Sequence, residues 1–514
     1  MPSCADRRDR GRKRMTCCWG ARHGAELKRA ALIAIDLGAE SCRVSLLRNP
    51  YDRPEMQIMH RFQNGPVQRG SSLVWDLGQI IQGVNEGLCR CAEIAKEGIA
   101  SIGVDGWAVD YVRLTETGKP LRDPRCYRDE RTIAAERDVH QLISRKDLYQ
   151  LTGIQFLRFN TLYQLYADGK EGIEPHSRWI NLPEYLLYCV GGSRVAEFSN
   201  ATHTGLLDTK TGQWSPHIFS CAKLDLNAAP QIVETGSIVG RLKGALAELP
   251  AFRSTQLIAP ACHDTASAIA GIPAEGDDWA FISSGTWSLV GTVLDEPCVT
   301  EQAQAKNFTN LGGVGRKICF LKNVNGMWLV QQCLERWKKQ GHTWNIPDLI
   351  RACGDAKPPT AYFDVDDPEL LLPEDMPEKI QKQLQMRHAD DLFSSGNGII
   401  ETTNLIFHSL AKRYAEVLQD IAVITGKQIK KLYIVGGASR NTLLNRLTAE
   451  QTGLQVIPGM PESSTIGNFA VQLAALEGDL KPRVGVSASS VSAWARALSN
   501  HHSEQEKIAA EVMA

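Results

Sequence analysis

Apolar positions along the chain fall into two patterns. From Ala30, the stretch AALIAIDLGAESCRVSLLR opens with a continuous apolar run containing β-branched Ile33 and Ile35. The run stops at Gly38, and alternation resumes through Val44, Leu46 and Leu47. That order predicts strand, tight turn, strand. Ile81, Val84, Leu88 and Ala92 then recur near helical spacing and predict an amphipathic helix over 80–98. IASIGVDGWAVDYVRL reads as a buried strand broken at Gly106, and helices are predicted over 133–151 and 183–188.

A second cycle begins near residue 256. QLIAPACHDTASAIAG predicts a short strand running into a helix of small residues, and DWAFISSGTWSLVGTVL repeats the strand–turn–strand pattern of Asp36. KKLYIVGGASRNTLLNRLTAEQTG reads as strand, glycine turn, helix. QVIPGMPESSTIGNFAVQLAALEG follows as strand, proline loop, helix. Two glycine-turn hairpins in separate halves suggest a duplicated α/β unit around an interdomain cleft. Such turns let backbone N–H groups approach an anion.

The chain has 514 residues, too many for one ordinary core at roughly 100–200 residues per domain. The expected division is residues 30–254 and 255–482, with a C-terminal tail over 483–514 that includes a short helix. Residues 355–400 are polar and proline-rich and read as a surface insertion. Residues 1–29 hold nine Lys/Arg against three Asp/Glu without the apolar stretch of a secretory signal. They read as a disordered basic extension, or as a start assigned too early, with Met15 a second candidate.

Composition narrows the class. At 43% hydrophobic residues, wholesale disorder is excluded. Near-equal basic and acidic totals, 57 against 58, argue against a dedicated nucleic-acid binder or a basic membrane-surface protein. No apolar run reaches the roughly 18 residues that a membrane helix needs. The 14 cysteines are scattered from Cys4 to Cys353, with no CxxC pair and no zinc-ligand spacing. They fit free thiols in a reducing cytoplasm. The pattern favours neither a monomer nor a dimer.

Five motifs carry candidate chemistry, and each has a plainer structural reading beside it. DLGAESCR (Asp36–Arg43) sets a carboxylate at a strand end beside a glycine turn, suited to Mg²⁺ through water and to phosphate on the turn amides. It suits an ordinary hairpin equally well. SSGTWSL offers Thr286 and the Gly285 amide to a second phosphate. IVGGASRN brings Gly436 and Gly437 between strand and helix, where backbone can approach a base or ribose, with Ser439 or Asn441 as a helix cap. CHDTASA places His263 and Asp264 where a strand runs into a helix. Asp264 there is either the acceptor of a hydroxyl proton or a helix N-cap. GVDGWAVDY flanks Trp107 with Asp105 and Asp110, a way to grip a sugar or simply a core aromatic. A glycosidase carboxylate pair is the rival reading of those two residues, but it leaves both hairpins unexplained. Neither a P-loop nor a Rossmann fingerprint occurs.

The order of these motifs, with YRDERT (127–132), GIQFLRFNTLYQL (153–165) and KNVNGMWLVQQ (322–332), resembles the FGGY carbohydrate kinases, and within them the rhamnulokinase branch. The resemblance runs from about Leu32 to about Gly478. It implies two actin-like, ribonuclease-H-like α/β domains, the hexokinase-like ATPase fold. It implies transfer of the ATP γ-phosphoryl group to O1 of L-rhamnulose with Mg²⁺. Carried over by motif, Asp264 is the general base. Ala39, Glu40, Ser41, Cys42, Arg43 and Thr286 line the ATP phosphates. Gln331 and Gly437 meet the rest of the nucleotide, and Asp36 is the Mg²⁺-associated carboxylate. Ala108, His263, Asp264, Thr265 and Asn323 meet the sugar.

The sequence departs from the family pattern in places. Cys42 and Ala108 stand where the family has Gly, and Gly106 where it has Thr. Glu40 brings a negative charge beside the expected phosphates. These departures bear on the substrate more than on the reaction. L-fuculose, L-ribulose and D-xylulose are the alternative ketoses, and a non-catalytic sugar- and ATP-binding regulator is the alternative class.

Overall fold

The computed structural model describes residues 30–172, 177–371, 375–386 and 398–513, with side chains up to residue 501. The basic stretch 1–29 lies outside the described residues. Two mixed sheets organise the fold. In the first, the order is 55–63, 41–48, 31–37, 99–106, 256–258 and 238–241. Ala31–Leu37 pairs antiparallel with Ser41–Arg48 on one side and parallel with Ile99–Gly106 on the other. In the second, strands 318–325, 287–294, 279–284, 431–435 and 455–458 repeat the order and directions, with 309–312 added at the edge. Three antiparallel strands followed by two parallel ones is the ribonuclease-H-like core, present twice.

The apolar patterns explain these strands. Every residue of Ala31–Leu37 is buried, as a central strand covered on both faces requires. Ser41–Arg48 alternates at its start because one face meets the cleft and the other the core.

The structure corrects four expectations about organisation. Gln256–Ile258 joins the first sheet, parallel to Ser101–Gly103, so the break expected at 254/255 falls inside the first half. The passage to the second sheet lies between Gly271 and Trp279. A three-residue strand carries no periodicity that says which sheet will receive it. Second, helix Ser463–Leu476 returns to the first sheet, where Ile466, Phe469 and Leu473 pack with Leu32, Ala34 and Ile258. Third, the helix expected over 133–151 is two helices, Thr132–Leu142 and Arg145–Thr152. Ser144 caps the second by accepting from the Asp147 amide. Fourth, the expected surface insertion at 355–400 supplies core, because Phe363, Val365, Leu370, Ile380 and Leu384 are buried. Residues 387–397 of that stretch lie outside the described residues.

The chain closes with helix Ala488–Met513. Among the described residues no helix is long and apolar enough to cross a membrane, and every cysteine is free.

Candidate active site

A cavity of about 570 Å³ opens between the sheets, lined from both halves. Three strand ends meet at its floor, where Asp36 and Asp264 line the cavity and Asp105 is fully buried outside the lining. Asp36 and Asp105 lie in register on neighbouring parallel strands, both buried. Asp264 follows the strand 256–258, as the first residue of helix Asp264–Ala270. His263 is the N-cap residue, with no side-chain cap bond, so Asp264 is not consumed as a cap.

Each carboxylate has a distinct environment. Asp36 Oδ2 accepts from Arg43 Nη2 across the hairpin at 2.5 Å and from Ser464 Oγ at 2.5 Å. Asp105 Oδ2 accepts from Asn468 Nδ2 at 2.5 Å, while its Oδ1 is buried without a protein partner. Burial beside Asp36 pushes the Asp105 carboxyl well above its ordinary range, which favours its neutral form. Asp264 is pushed up to about 6, first by burial and then by Asp36, against the pull of Thr265 and Arg43. Its side chain keeps 35% of its surface open to the cavity, so solvent tempers the burial effect and leaves the group reachable.

His263 Nε2 lies 3.4 Å from Asp264 Oδ1. Burial, with His203 alongside, holds the His263 imidazole well below its ordinary range, so it is neutral at neutral pH. Asn323 reaches the same cavity and is held by Gln155, whose Oε1 accepts from its amide N at 3.2 Å and from Nδ2 at 2.8 Å.

The two hairpin turns face one another at the cavity mouth. Thr286 Oγ1 donates to Glu40 Oε1 at 3.1 Å, joining the halves. Behind Thr286, the amides of Met327 and Trp328 donate to the Gly285 and Thr286 carbonyls. Gly436 has φ +85°, and a Cβ there would stand 2.6 Å from the Ser284 carbonyl oxygen, so both conformation and space demand glycine. At Gly437 a Cβ would meet nothing within 4 Å, which leaves its backbone open to the cavity.

The two-sheet scaffold now has its counterparts. Residues 31–271 match the model of the FGGY family of carbohydrate kinases, N-terminal domain, and 280–476 match its C-terminal domain. The chain belongs to the FGGY family of carbohydrate kinases. Its curated relatives include rhamnulokinases of Bacillus subtilis (strain 168), 34% identical over 86% of this chain and 90% of theirs, and of Enterococcus faecalis, 36% identical over 89% and 91%. Solved structures agree on the fold. A xylulose kinase from Lactobacillus acidophilus has a TM-score of 0.70 at 16% identity, covering 94% of this chain and 98% of that one. Plasmodium falciparum glycerol kinase with ADP has a TM-score of 0.70 at 14% identity, covering 91% and 92%. The protein is an ATP-dependent sugar kinase.

Most of the FGGY-type residues expected from the sequence converge on the cavity: Asp36, Ala39, Glu40, Ser41, Arg43, Ala108, His263, Asp264, Thr265, Thr286, Asn323 and Gly437. Two do not. Cys42 points to the opposite face of its strand, buried in the core with Sγ near the Gly38 carbonyl and its thiol pushed up to about 12 by burial. Gln331 lies on helix Trp328–Lys339 outside the cavity lining, with its Oε1 buried and unpartnered. Asp110 is not a sugar carboxylate either. It accepts from Trp75 Nε1 at 2.6 Å and Trp107 Nε1 at 3.0 Å, fixing the indole that lines the cavity. Gly106 is likewise structural, since a Cβ there would stand 2.7 Å from Leu37 Cβ.

The cavity also contains residues that motif reading left without a role. Tyr127, Arg128 and Phe159 come from stretches quoted only for their resemblance. Val109 adopts φ +71°, rare for a β-branched residue, and its carbonyl is held by Thr161 Oγ1 at 2.8 Å. Glu462 sits 3.7 Å from Arg43 and 3.6 Å from Arg61. His203 and Ser464 come from segments with no local signature. A second cavity of about 520 Å³ adjoins the first through Leu157, Trp287 and Asn323, and Asp36, Asp105 and Asp264 are not among its lining.

Proposed function

We propose that the protein transfers the γ-phosphoryl group of ATP to O1 of L-rhamnulose, giving L-rhamnulose 1-phosphate and ADP. The observation that carries the mechanism is Asp264 beside neutral His263 on the cavity floor, below two facing hairpin turns. The rhamnulokinases among the curated relatives support the choice of sugar.

In this mechanism the turn backbone at Ala39, Glu40 and Ser41 on the first side, and Thr286 and Gly437 on the second, hold the polyphosphate, while the Glu40 carboxylate works against it. Ala108, His263, Thr265 and Asn323 orient the ketose. Asp264 takes the proton as the O1–H bond breaks. The O1–Pγ bond forms while the bridging Pγ–O bond breaks, and ADP leaves with that bonding pair. Positioning and charge stabilisation supply most of such a rate, because the transferring group needs little covalent help.

Magnesium would arrive with the nucleotide and supply positive charge against its phosphates. Among the described residues no group of three or more His, Cys, Asp or Glu is arranged to hold a metal directly. That suits an ion held mainly by phosphate and water. Asp36 has one oxygen taken up by Arg43 and Ser464, and its other oxygen would accept from a metal-bound water. The free, largely buried thiols support a reducing, cytoplasmic setting.

Ala108 keeps another ketose in view, since its methyl lines the sugar side where the family pattern has glycine. A comparison of kcat/KM on L-rhamnulose, L-fuculose, L-ribulose and D-xylulose, with the phosphorylated carbon located by NMR, tests the proposal. The expected result is the highest value on L-rhamnulose with phosphate on O1. A higher value on another ketose reassigns the substrate.

A further inference from the structure

The short helix Phe198–His203 is buried and held from several sides. Glu197 accepts from the Ser199 amide at 3.0 Å and from the Cys262 amide at 2.9 Å. Glu184 accepts from the Glu197 amide at 3.0 Å and from Asn200 Nδ2 at 2.9 Å. Burying two carboxylates is costly unless they organise something. Here they fix His203 at the end of this helix and the strand end that delivers His263.

His203 is 7% exposed, yet its ring lines the cavity. It stands against His263 with centroids 4.8 Å apart and planes at 85°. Neither ring's Nδ1 has a protein hydrogen-bond partner. Burial pushes the His203 imidazole down to about 4, so it is neutral near pH 7. A neutral imidazole offers one donor and one acceptor, which suits a hydroxyl rather than a phosphate. In the proposed mechanism Asp264 serves the reacting hydroxyl; His263 lies 3.4 Å from Asp264, and His203 packs against His263.

We infer that His203 is a specificity-determining residue, hydrogen-bonding a ketose hydroxyl other than the one that Asp264 deprotonates. This rests on the ketose-kinase reading. Polar groups built to meet a hydroxyl discriminate strongly against sugars that lack it.

The test measures kcat and KM for His203→Ala and His203→Gln on the four ketoses and on analogues lacking single hydroxyls. His203→Ala should lower kcat/KM on the preferred ketose by about 10- to 100-fold and leave the KM for ATP unchanged. His203→Gln should recover part of the loss. On the analogue without the contacted hydroxyl, the penalty should shrink to less than about twofold. Equal losses on every sugar, or no loss, overturn the inference. If the variants fail to fold, ¹⁵N NMR of the wild-type histidines decides: ketose addition should move the His203 side-chain nitrogens, and unmoved signals overturn it. Wild-type protein without ketose-dependent ADP release defeats the kinase reading itself. An active wild type with an unaffected His203→Ala defeats only this inference.

Discussion

The turn at Gly38–Ser41 and the turn at Gly285–Thr286 occupy the same place in two sheets of the same strand order. Around the first, three carboxyl groups, Asp36, Asp105 and Asp264, gather near Arg43, where burial and then Asp36 push up the other two. At the second, the cavity meets the uncharged Ser283, Ser284, Gly285, Thr286 and the Gly436–Gly437 backbone, with Arg440 as a cation beside them. A repeated scaffold has thus been given two different electrostatic tasks. The carboxylate-rich side can move a proton, and the side without carboxylates at its turns can present amides, a hydroxyl and a cation to a polyanion without repelling it. Glu40 crosses the divide, since its carboxylate accepts from the hydroxyl that phosphate would use.

If the halves divide the work this way, substitutions should separate along the same line. Asp264→Asn should cut ketose-dependent ADP release by at least about 10²–10⁴-fold while titrations show unchanged ATP affinity. Its Tm should hold or rise at neutral pH. The folded carboxyl lies above its unfolded value, so stability falls as pH rises from the ordinary carboxylate range through about 6, the full cost is present above that, and the amide removes it. A fall in ATP affinity parallel to the rate would break the comparison.

Arg43→Met should come next. It leaves buried Asp36 without its cation, and breaking such a pair costs about 3–5 kcal/mol. It also removes a group that lowers the Asp264 carboxyl, so the acid limb of the pH profile should move upward. A limb that stays in place would detach Arg43 from the base.

Gly436→Ala should cost about 1–3 kcal/mol from backbone strain, with crowding against Ser284 added, and raise the KM for ATP. Gly437→Ala should leave Tm unchanged, because its Cβ has room. Equal Tm losses in the two would remove the spatial basis for the side without carboxylates at its turns. Glu40→Gln has the smallest expected effect, a fall of about two- to fivefold in the KM for ATP at low salt. A rise instead would make Glu40 part of nucleotide binding.

The hairpins, the strand-to-helix turns and Asp264 were legible because each is a local pattern. Cys42 could have been excluded from the same data. Ser41 and Arg43 share one strand face and Cys42 faces the other, a consequence of period two. Gly106 reads in the sequence as a departure bearing on the substrate, but its neighbour Leu37 lies on a strand that only the sheet brings alongside. His203, Ser464 and Asn468 were invisible for a related reason. Asn468 meets Asp105 across 363 positions of sequence, and Ser464 meets Asp36 across 428. No spacing rule reaches that far. The half-boundary near 254 failed because Gln256–Ile258 is too short to declare its sheet.

The central claim is that proton transfer resides in the carboxylate-rich half, at Asp264. The pH dependence of kcat/KM for ketose-dependent ADP release tests it most directly. A general base must be ionised, so activity should be full above about pH 6 and fall as pH drops through that value. A profile that stays flat from about pH 8 down to about pH 5 would contradict the assignment.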